Sequence, residues 1–272
     1  MKQQIFFTES DKASIGVGFA KSEIKNHTGI SGLKYYLIVM FLRSHMDTFG
    51  RITTTLNNLL TECGYSTKSH NQNMYKDFKD IIKSQILDLE YASIDVDINA
   101  LSPNTIFTIS LNPNKIIFFT EDSFCMITIK EFETITSYQH SKINKSILLG
   151  VYLFIKQYIY SDSEKNSWSL KISYPSKSQI KKGLGVSSIS TIETAISVLI
   201  SIGMIHVKNG FYIEDHKNTG IYVPARNVYA IDPKELEDEA CIKSNLEFIY
   251  QKTVYTSDEV SGNTAFLTKE EF

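Results

Sequence analysis

The segment PSKSQIKKGLGVSSISTIETAISVL, residues 175–199, constrains the fold more than any other part of the chain. Pro175 favours the start of a helix, and the apolar positions Ile180 and Leu184 are predicted to hold that helix against a core. Gly185 then marks a sharp turn, because a positive φ costs little only for glycine. A second apolar-periodic stretch follows at once. The segment therefore predicts two short helices joined by a tight turn.

The turn continues with the apolar Val186 and with Ser187 and Ser188, and either serine is expected to cap the second helix. This segment resembles the helix-turn-helix of many bacterial DNA-binding proteins. The resemblance implies that the second helix enters the major groove of DNA. Its N-terminal turn then presents short polar side chains and the positive end of the helix dipole to bases and phosphates.

The surrounding pattern predicts a winged helix over residues 143–232. An apolar helix (NKSILLGVYLFIKQYIY) and a strand (SLKISY) precede the two helices. The segment MIHVKNGFYIEDH follows them, and it is interpreted as a strand, an Asn-Gly turn and a second strand. One further strand in GIYVPARNVYAI completes the unit. The order helix, strand, helix, helix, hairpin is that of a winged helix.

The same order is predicted in the N-terminal part of the chain. Helical patterns cover Gly32–Met46, Thr54–Cys63 and the stretch NMYKDFKDIIKSQILD, and predicted strands at Glu90–Asp97 and Thr105–Leu111 form a hairpin. LLTECGYS (59–66) also aligns with IKKGLGVS (180–187), which places Gly64 over Gly185. The predicted fold class is therefore α+β, with two winged helices in tandem. Its parts are an N-terminal winged-helix domain (1–112), a structured bridge (113–142), a C-terminal winged-helix domain (143–232) and an acidic tail (233–272). In the bridge, KIIFF is predicted to be a strand, and FCMITIKEFETITSY is predicted to start as strand and end as helix.

Candidate DNA contacts in the second winged helix are phosphate-reaching lysines, short polar side chains at the start of the reading helix, and wing residues. They are Lys177, Lys181, Lys182, Ser187, Ser188, Ser190, Thr191, Thr194, Lys208, Asn209 and Lys217. The alternative is that this polar face is only solvated and that the fold serves contacts between proteins.

In the first winged helix the candidates surround the start of its third helix, where Asn and Gln can each bond an adenine through two atoms. They are Lys68, Ser69, His70, Asn71, Gln72, Asn73, Lys76 and Lys79. Asp77 and Asp80 dilute the positive charge of this surface. The alternative here is a dimerisation or regulatory unit.

Charge is distributed unevenly along the chain, which has a net charge of −2. From Lys234 to Phe272 nine acidic residues oppose four lysines, whereas residues 1–233 carry 24 basic against 21 acidic residues. The body of the protein is thus mildly basic, which permits DNA binding without requiring it.

Enzyme and metal signals are weak, and the chain is expected to be neither an enzyme nor a metal- or cofactor-binding protein. GVGFAKS (16–22) lacks the spacing of a phosphate-binding loop, and no GxSxG nucleophile motif occurs. The six histidines are scattered without metal-binding pairs, and the three cysteines are far apart. Apolar runs fall well short of the roughly 20 residues of a membrane span, and no signal peptide is recognised, so a cytoplasmic location is expected.

Two winged helices in tandem resemble the replication initiators of theta-type plasmids and related mobile elements, over residues 30–232. The resemblance implies a protein that binds repeated origin sequences, distorts the DNA and recruits host replication proteins, with a homodimer as one form. The acidic tail would then recruit partners or regulate the protein. The alternatives are a winged-helix transcription regulator with one DNA-binding and one dimerisation or regulatory unit, and a structural adaptor.

Overall fold

The protein is a mixed α+β molecule with small antiparallel sheets, which confirms the predicted fold class at that level. The chain divides into two compact units. Unit 1 lies within residues 1–153 and 184–186, and unit 2 within 154–183 and 187–272. A computed structural model of the chain describes residues 16–20, 28–67, 72–112, 124–139, 143–163, 170–218 and 220–261.

Unit 1 is built around one buried helix and a three-stranded sheet with the strand order β2-β4-β3, in which Ile52 and Ile94 both lie opposite Ile109. A second, two-stranded sheet pairs β1 with β5. In chain order the elements are β1 (Gly16–Ala20), α1 (Gly29–His45), β2 (Arg51–Thr54), α2 (Leu56–Glu62), α3 (Gln72–Ile81), a π-helical segment (Ile82–Leu87), β3 (Ala92–Ile94), a 3₁₀ turn (Ile98–Ala100), β4 (Phe107–Leu111), β5 (Phe124–Thr128), α4 (Ile129–Ser137) and the first half of α5 (Lys145–Ser163).

Helix α1 is buried because its apolar residues surround the helix axis rather than forming one stripe. Every residue from Leu33 to Leu42 is buried, as the length of the apolar run predicts. Helix α3 and the π-helical segment after it bury the predicted face, including Phe78 and Ile82, while Met74 is half-buried. These contacts form the core of unit 1.

The predicted bridge contributes to unit 1 as a strand followed by a helix. Thr128 ends β5 and caps α4: its Oγ1 accepts from the backbone N–H of Glu131, and Glu131 Oε2 accepts from the N–H of Thr128. Tyr152 Oη of α5 donates to the other carboxylate oxygen of Glu131 at 2.5 Å. This confirms the prediction that the segment 124–138 begins as strand and ends as helix. The predicted strand KIIFF lies outside the described residues.

Unit 2 contains two three-stranded antiparallel sheets with the orders β6-β10-β7 and β11-β8-β9. In chain order its elements are the second half of α5, β6 (Ile172–Ser173), α6 (Lys177–Leu184), α7 (Ile189–Ser201), β7 (His206–Lys208), β8 (Phe211–Glu214), β9 (Tyr222–Pro224), β10 (Val228–Ala230), a 3₁₀ turn (Pro233–Leu236), α8 (Glu239–Tyr250), β11 (Val254–Thr256) and α9 (Ser257–Ser261).

Strands β7 to β10 form one long hairpin (206–230), and its turn is not where the sequence placed it. His206 lies opposite Ala230 and Glu214 opposite Tyr222, so both halves of the hairpin share a single register. The Asn-Gly pair at 209–210 was predicted to be the turn, and that prediction is wrong. Gly210 does adopt a positive φ of +89°, but it lies at a break within one arm of the hairpin, and the chain reverses only after Glu214.

The described part of the acidic C-terminal segment, up to residue 261, is a structural layer of unit 2. Ile242 and Leu246 of α8 and Val254 of β11 are fully buried in one cluster with residues of the long hairpin, including Phe211. β11 also pairs with β8. The sequence set this segment apart by its charge alone, and its apolar spacing places it in the core.

Candidate nucleic-acid interface

Helices α6 and α7 form the predicted pair of short helices, and their axes diverge by 105°. Gly185 has a φ of +63°, which confirms the predicted left-handed turn residue. Ser188 caps α7, because its Oγ accepts a hydrogen bond from the N–H of Ser190 at 3.2 Å. Two helices crossing near a right angle over a short glycine-containing turn have the geometry of a helix-turn-helix.

The apolar residues that the sequence singled out in this pair are buried. Ile180, Leu184 and Val186 are all buried, as predicted. Gly183 allows a close approach within unit 2, since a Cβ there would lie 2.1 Å from Phe154 Cε2 of α5. Ile200 fits the apolar helical spacing of α7 but is 43% exposed, whereas Val198 and Leu199 in the same turn are buried.

The outer face of α7 carries hydroxyl groups and no lysine or arginine. Ser190 and Ser197 are exposed, and Thr194 is half-buried, with Oγ1 donating to the carbonyl of Ser190 at 2.9 Å. The hydroxyls of Ser188 and Ser190 are 2.6 Å apart. Of the other predicted residues, Ser187 is exposed and Thr191 half-buried. The structure thus brings the predicted short polar side chains together at the start of one helix.

The three lysines of α6 differ in their surroundings. Lys177 Nζ lies 2.6 Å from Oε1 of Glu193 on α7, so its charge is offset within the protein. Lys181 is half-buried and Lys182 exposed, and neither forms an ion pair with the residues that the structure describes. Lys181 and Lys182 are therefore the cations of this surface that remain available for phosphate.

The predicted wing residues are spread along the long hairpin. Lys208 Nζ contacts the carbonyl of Leu236 and a carboxylate oxygen of Glu239, whereas Asn209 is exposed at the break. Lys217 is exposed in the turn, where its N–H donates to Asp215. That hydrogen bond is the main reason why the pKa of Asp215 is lowered from its usual value. Lys217 is thus separated from the first two residues by an arm of the hairpin.

In unit 1 most of the predicted residues cannot be placed. Lys68, Ser69, His70 and Asn71 lie outside the described residues, as does the side chain of Gln72, the first residue of α3.

The remaining candidates in unit 1 lie on α3. Asn73 and Lys76 are exposed there. Lys79 points elsewhere, since its Nζ donates to the carbonyls of Asn99 and Leu101 in the loop before β4. Asp77, predicted to dilute the positive charge, is paired with the buried Lys34.

A cavity of about 490 Å³ lies between α2, α3 and the loop before β4. Around it Asn57 forms a small polar network: its side-chain amide donates to Asn104 Oδ1 at 2.5 Å and its Oδ1 accepts from Tyr75 Oη. The sequence reasoning did not identify Asn57, Tyr75 or Asn104, because contacts between residues 18 and 47 positions apart leave no local pattern.

The glycines aligned by the internal overlay adopt similar backbone conformations. Gly64 has a φ of +78° and Gly185 one of +63°. The space beside Gly64 is also filled, since a Cβ there would lie 2.2 Å from the carbonyl oxygen of Thr136 and 2.7 Å from Lys145 Nζ. Lys145 Nζ donates to the carbonyls of Thr136 and Tyr138, and burial lowers the pKa of this amine.

No protein-family model matches the chain, and a search of curated proteins returns no relative. Among the described residues there is no group of three or more His, Cys, Asp or Glu side chains that could hold a metal ion. Within the same residues no single helix is long and apolar enough to cross a membrane, although α6 and α7 taken together meet the length and composition test as a bent pair.

Proposed function

We propose that the protein binds double-stranded DNA sequence-specifically through two winged helices. Both units support this assignment through their topology. Unit 1 has a helix, a strand, two helices and two further strands (α1, β2, α2, α3, β3 and β4), and unit 2 has the second half of α5, β6, α6, α7 and the long hairpin. In one sheet of each unit the strand nearest the C-terminus lies between the other two (β2-β4-β3 and β6-β10-β7). The order helix, strand, helix, helix, hairpin is that of a winged helix.

The observation that carries the proposal is the geometry around Gly185. α6 and α7 cross at 105°, and the first turn of α7 carries the exposed Ser190 and the half-buried Thr191. A helix presented in this way fits the major groove, where serine and threonine hydroxyls can bond to base edges and the helix N-terminus favours phosphate. Lys181 and Lys182 on α6 supply cations beside it.

The proposal extends to a role in initiating replication of a plasmid or mobile element. The presence of two such units on one chain supports it, because two reading helices per chain suit a site made of repeated sequences. Unit 1 contributes Asn73 and Lys76, exposed near the start of α3. We assign the contacts with host replication proteins to the acidic segment that contains α8. The protein is also proposed to form a homodimer.

Footprinting and mobility-shift assays on DNA flanking the gene test this function. We expect protection of repeated sequences over more than one helical turn, and affinity that falls steeply with salt because phosphate contacts release counterions. Protection of a single palindrome upstream of a neighbouring operon would instead identify a transcription regulator. Absent or salt-insensitive binding would contradict DNA binding altogether and favour a structural adaptor.

A further inference from the structure

Glu193 is the only charged residue of α7, and it lies on the outer side of that helix one turn from its start. Its side chain is 44% exposed. On the same side lie Ser190, Thr194 and Ser197, the hydroxyl-bearing residues of the reading surface proposed above. A carboxylate at the centre of such a surface requires explanation, because it would repel the phosphates on both sides of a groove.

An ion pair with Lys177 reduces this repulsion. Its Nζ lies 2.6 Å from Glu193 Oε1, and its own side chain is only 30% exposed. The ammonium offsets the negative charge and fixes the carboxylate in one position. Glu193 Oε2 accepts no hydrogen bond from the residues that the structure describes. One oxygen is therefore held by the protein, and the other is left as an acceptor on the outer face of α7.

The bases differ in what they offer to such an acceptor. In the major groove guanine and thymine present only acceptors and a methyl group, which a carboxylate does not bond. Adenine presents an amino donor beside the acceptor N7, which repels a second oxygen lone pair. Cytosine presents its N4 amino group, which is the usual partner of Glu in direct readout.

We propose that Glu193 reads a cytosine through its N4 amino group, with Lys177 as the residue that positions and neutralises the carboxylate. This inference rests on the proposed function, because it assigns one base contact to the helix that the proposal places in the major groove. It also changes the role of Lys177 from a phosphate contact to a positioning residue.

The test is selection of binding sites by the full chain from a library of randomised DNA duplexes, followed by sequencing. We expect the wild-type sites to share a C·G pair that Glu193→Gln replaces with A·T, because an amide can bond both N6 and N7 of adenine. Affinity of this variant for the original site should fall roughly tenfold or more. Glu237→Gln, an exposed glutamate outside both sheets of unit 2, makes the same change of charge and should select the wild-type site.

Two more variants make the result specific. Glu193→Asp keeps the charge but shortens the side chain, so it should weaken the cytosine preference without creating one for adenine. Lys177→Gln should weaken the same preference and leave the salt dependence of binding unchanged, because no phosphate contact is lost. A fall of about one in the logarithmic salt slope would show that Lys177 contacts a phosphate and would overturn its positioning role.

The outcomes distinguish a failure of the cytosine contact from a failure of the proposed DNA binding. If the wild-type chain selects no duplex, both the proposed function and this inference are overturned. If it selects a site and Glu193→Gln selects the same site, the cytosine contact alone is overturned. Circular dichroism of each variant establishes that folding is retained.

Discussion

Lys208 Nζ lies 3.1 Å from Oε2 of Glu239, so a cation of the long hairpin is held by the first residue of α8. The carbonyl of Leu236 contacts the same ammonium at 3.3 Å. Glu239, in the acidic C-terminal segment, thus forms an ion pair with Lys208, which the sequence predicted to contact DNA. The pair places a negative charge of that segment beside the proposed DNA surface.

Glu239→Gln should therefore increase affinity for DNA. The substitution removes one negative charge beside Lys208 and frees its ammonium, so we expect a gain of about two- to fivefold at low salt that diminishes as salt screens the charges. Stability should change by less than about 1 kcal/mol, since the pair is partly exposed. Titration by fluorescence anisotropy measures the affinity. An unchanged or lower affinity would show that Lys208 does not face DNA.

Replacing Lys181 and Lys182 together by Gln should weaken binding to all sequences alike. Each lysine that contacts a phosphate contributes about one to the logarithmic salt slope, so the slope should fall by up to about two. Lys171→Gln with Lys234→Gln is the matched control, because both lysines are exposed in unit 2 outside α6, α7 and the long hairpin. Equal slopes for the two double variants would contradict a phosphate role for α6.

Gly64→Ala should destabilise unit 1 more than Gly203→Ala destabilises unit 2. Both glycines have a similar positive φ, which costs alanine about 1 kcal/mol in either place. At Gly64 the new Cβ would also meet the backbone of Thr136, whereas nothing lies within 4 Å at Gly203. We expect an additional loss of about 2 kcal/mol at Gly64, of the size that overpacking produces. Urea denaturation followed by circular dichroism compares the two variants.

Stability should decrease above pH 10 in a way that depends on Tyr65. Burial raises the pKa of this phenol well above its usual value, and Tyr65 Oη donates to Asn144 Oδ1 at 2.7 Å. The folded protein therefore keeps the proton where the unfolded chain begins to lose it, near pH 10. The contribution of Tyr65 is fully present below that pH and is lost as the pH rises.

Tyr65→Phe should therefore show a shallower loss of unfolding free energy between pH 10 and pH 11. At pH 7 the same variant should lose only about 1 kcal/mol, because Asn144 Oδ1 keeps its bonds from the N–H and hydroxyl of Ser146. An identical pH profile for both proteins would exclude Tyr65 as the cause.

Ile242→Ala should destabilise unit 2 by about 2–5 kcal/mol, the usual cost of removing a buried aliphatic side chain. Ile242 is fully buried, whereas Phe248 on the same helix is 72% exposed, so Phe248→Ala should have almost no effect. Thermal denaturation distinguishes the two. Equal stability of both variants would show that α8 is not part of the core.

The features that could be predicted from the sequence are those set by neighbouring residues. Gly185, Ser188 and the buried Ile180 were found because turn, cap and periodicity each depend on a few adjacent positions. The turn of the long hairpin was misplaced because strand pairing, not the local Asn-Gly preference, decides where the chain reverses.

Longer-range partners were not predictable from the same patterns. The pairs Lys177–Glu193 and Lys208–Glu239 join residues that are 16 and 31 positions apart, and only the fold brings them together. The core role of α8 did have a signal, since Cys241, Ile242, Asn245 and Leu246 repeat at helical spacing. The prediction of a separate tail rested on the charge of that segment and did not use this spacing.

The packing of α8 and β11 against the long hairpin limits where unit 2 can be truncated. A fragment cut after the last strand of the first sheet of unit 2, at Ala230, would expose Phe211, Val228 and the rest of the cluster that Ile242 and Leu246 cover. A fragment of unit 2 that keeps this cluster covered therefore extends at least through β11 (Val254–Thr256). Fusions, truncations and domain swaps of unit 2 have to keep α8 and β11 together with the strands that they cover.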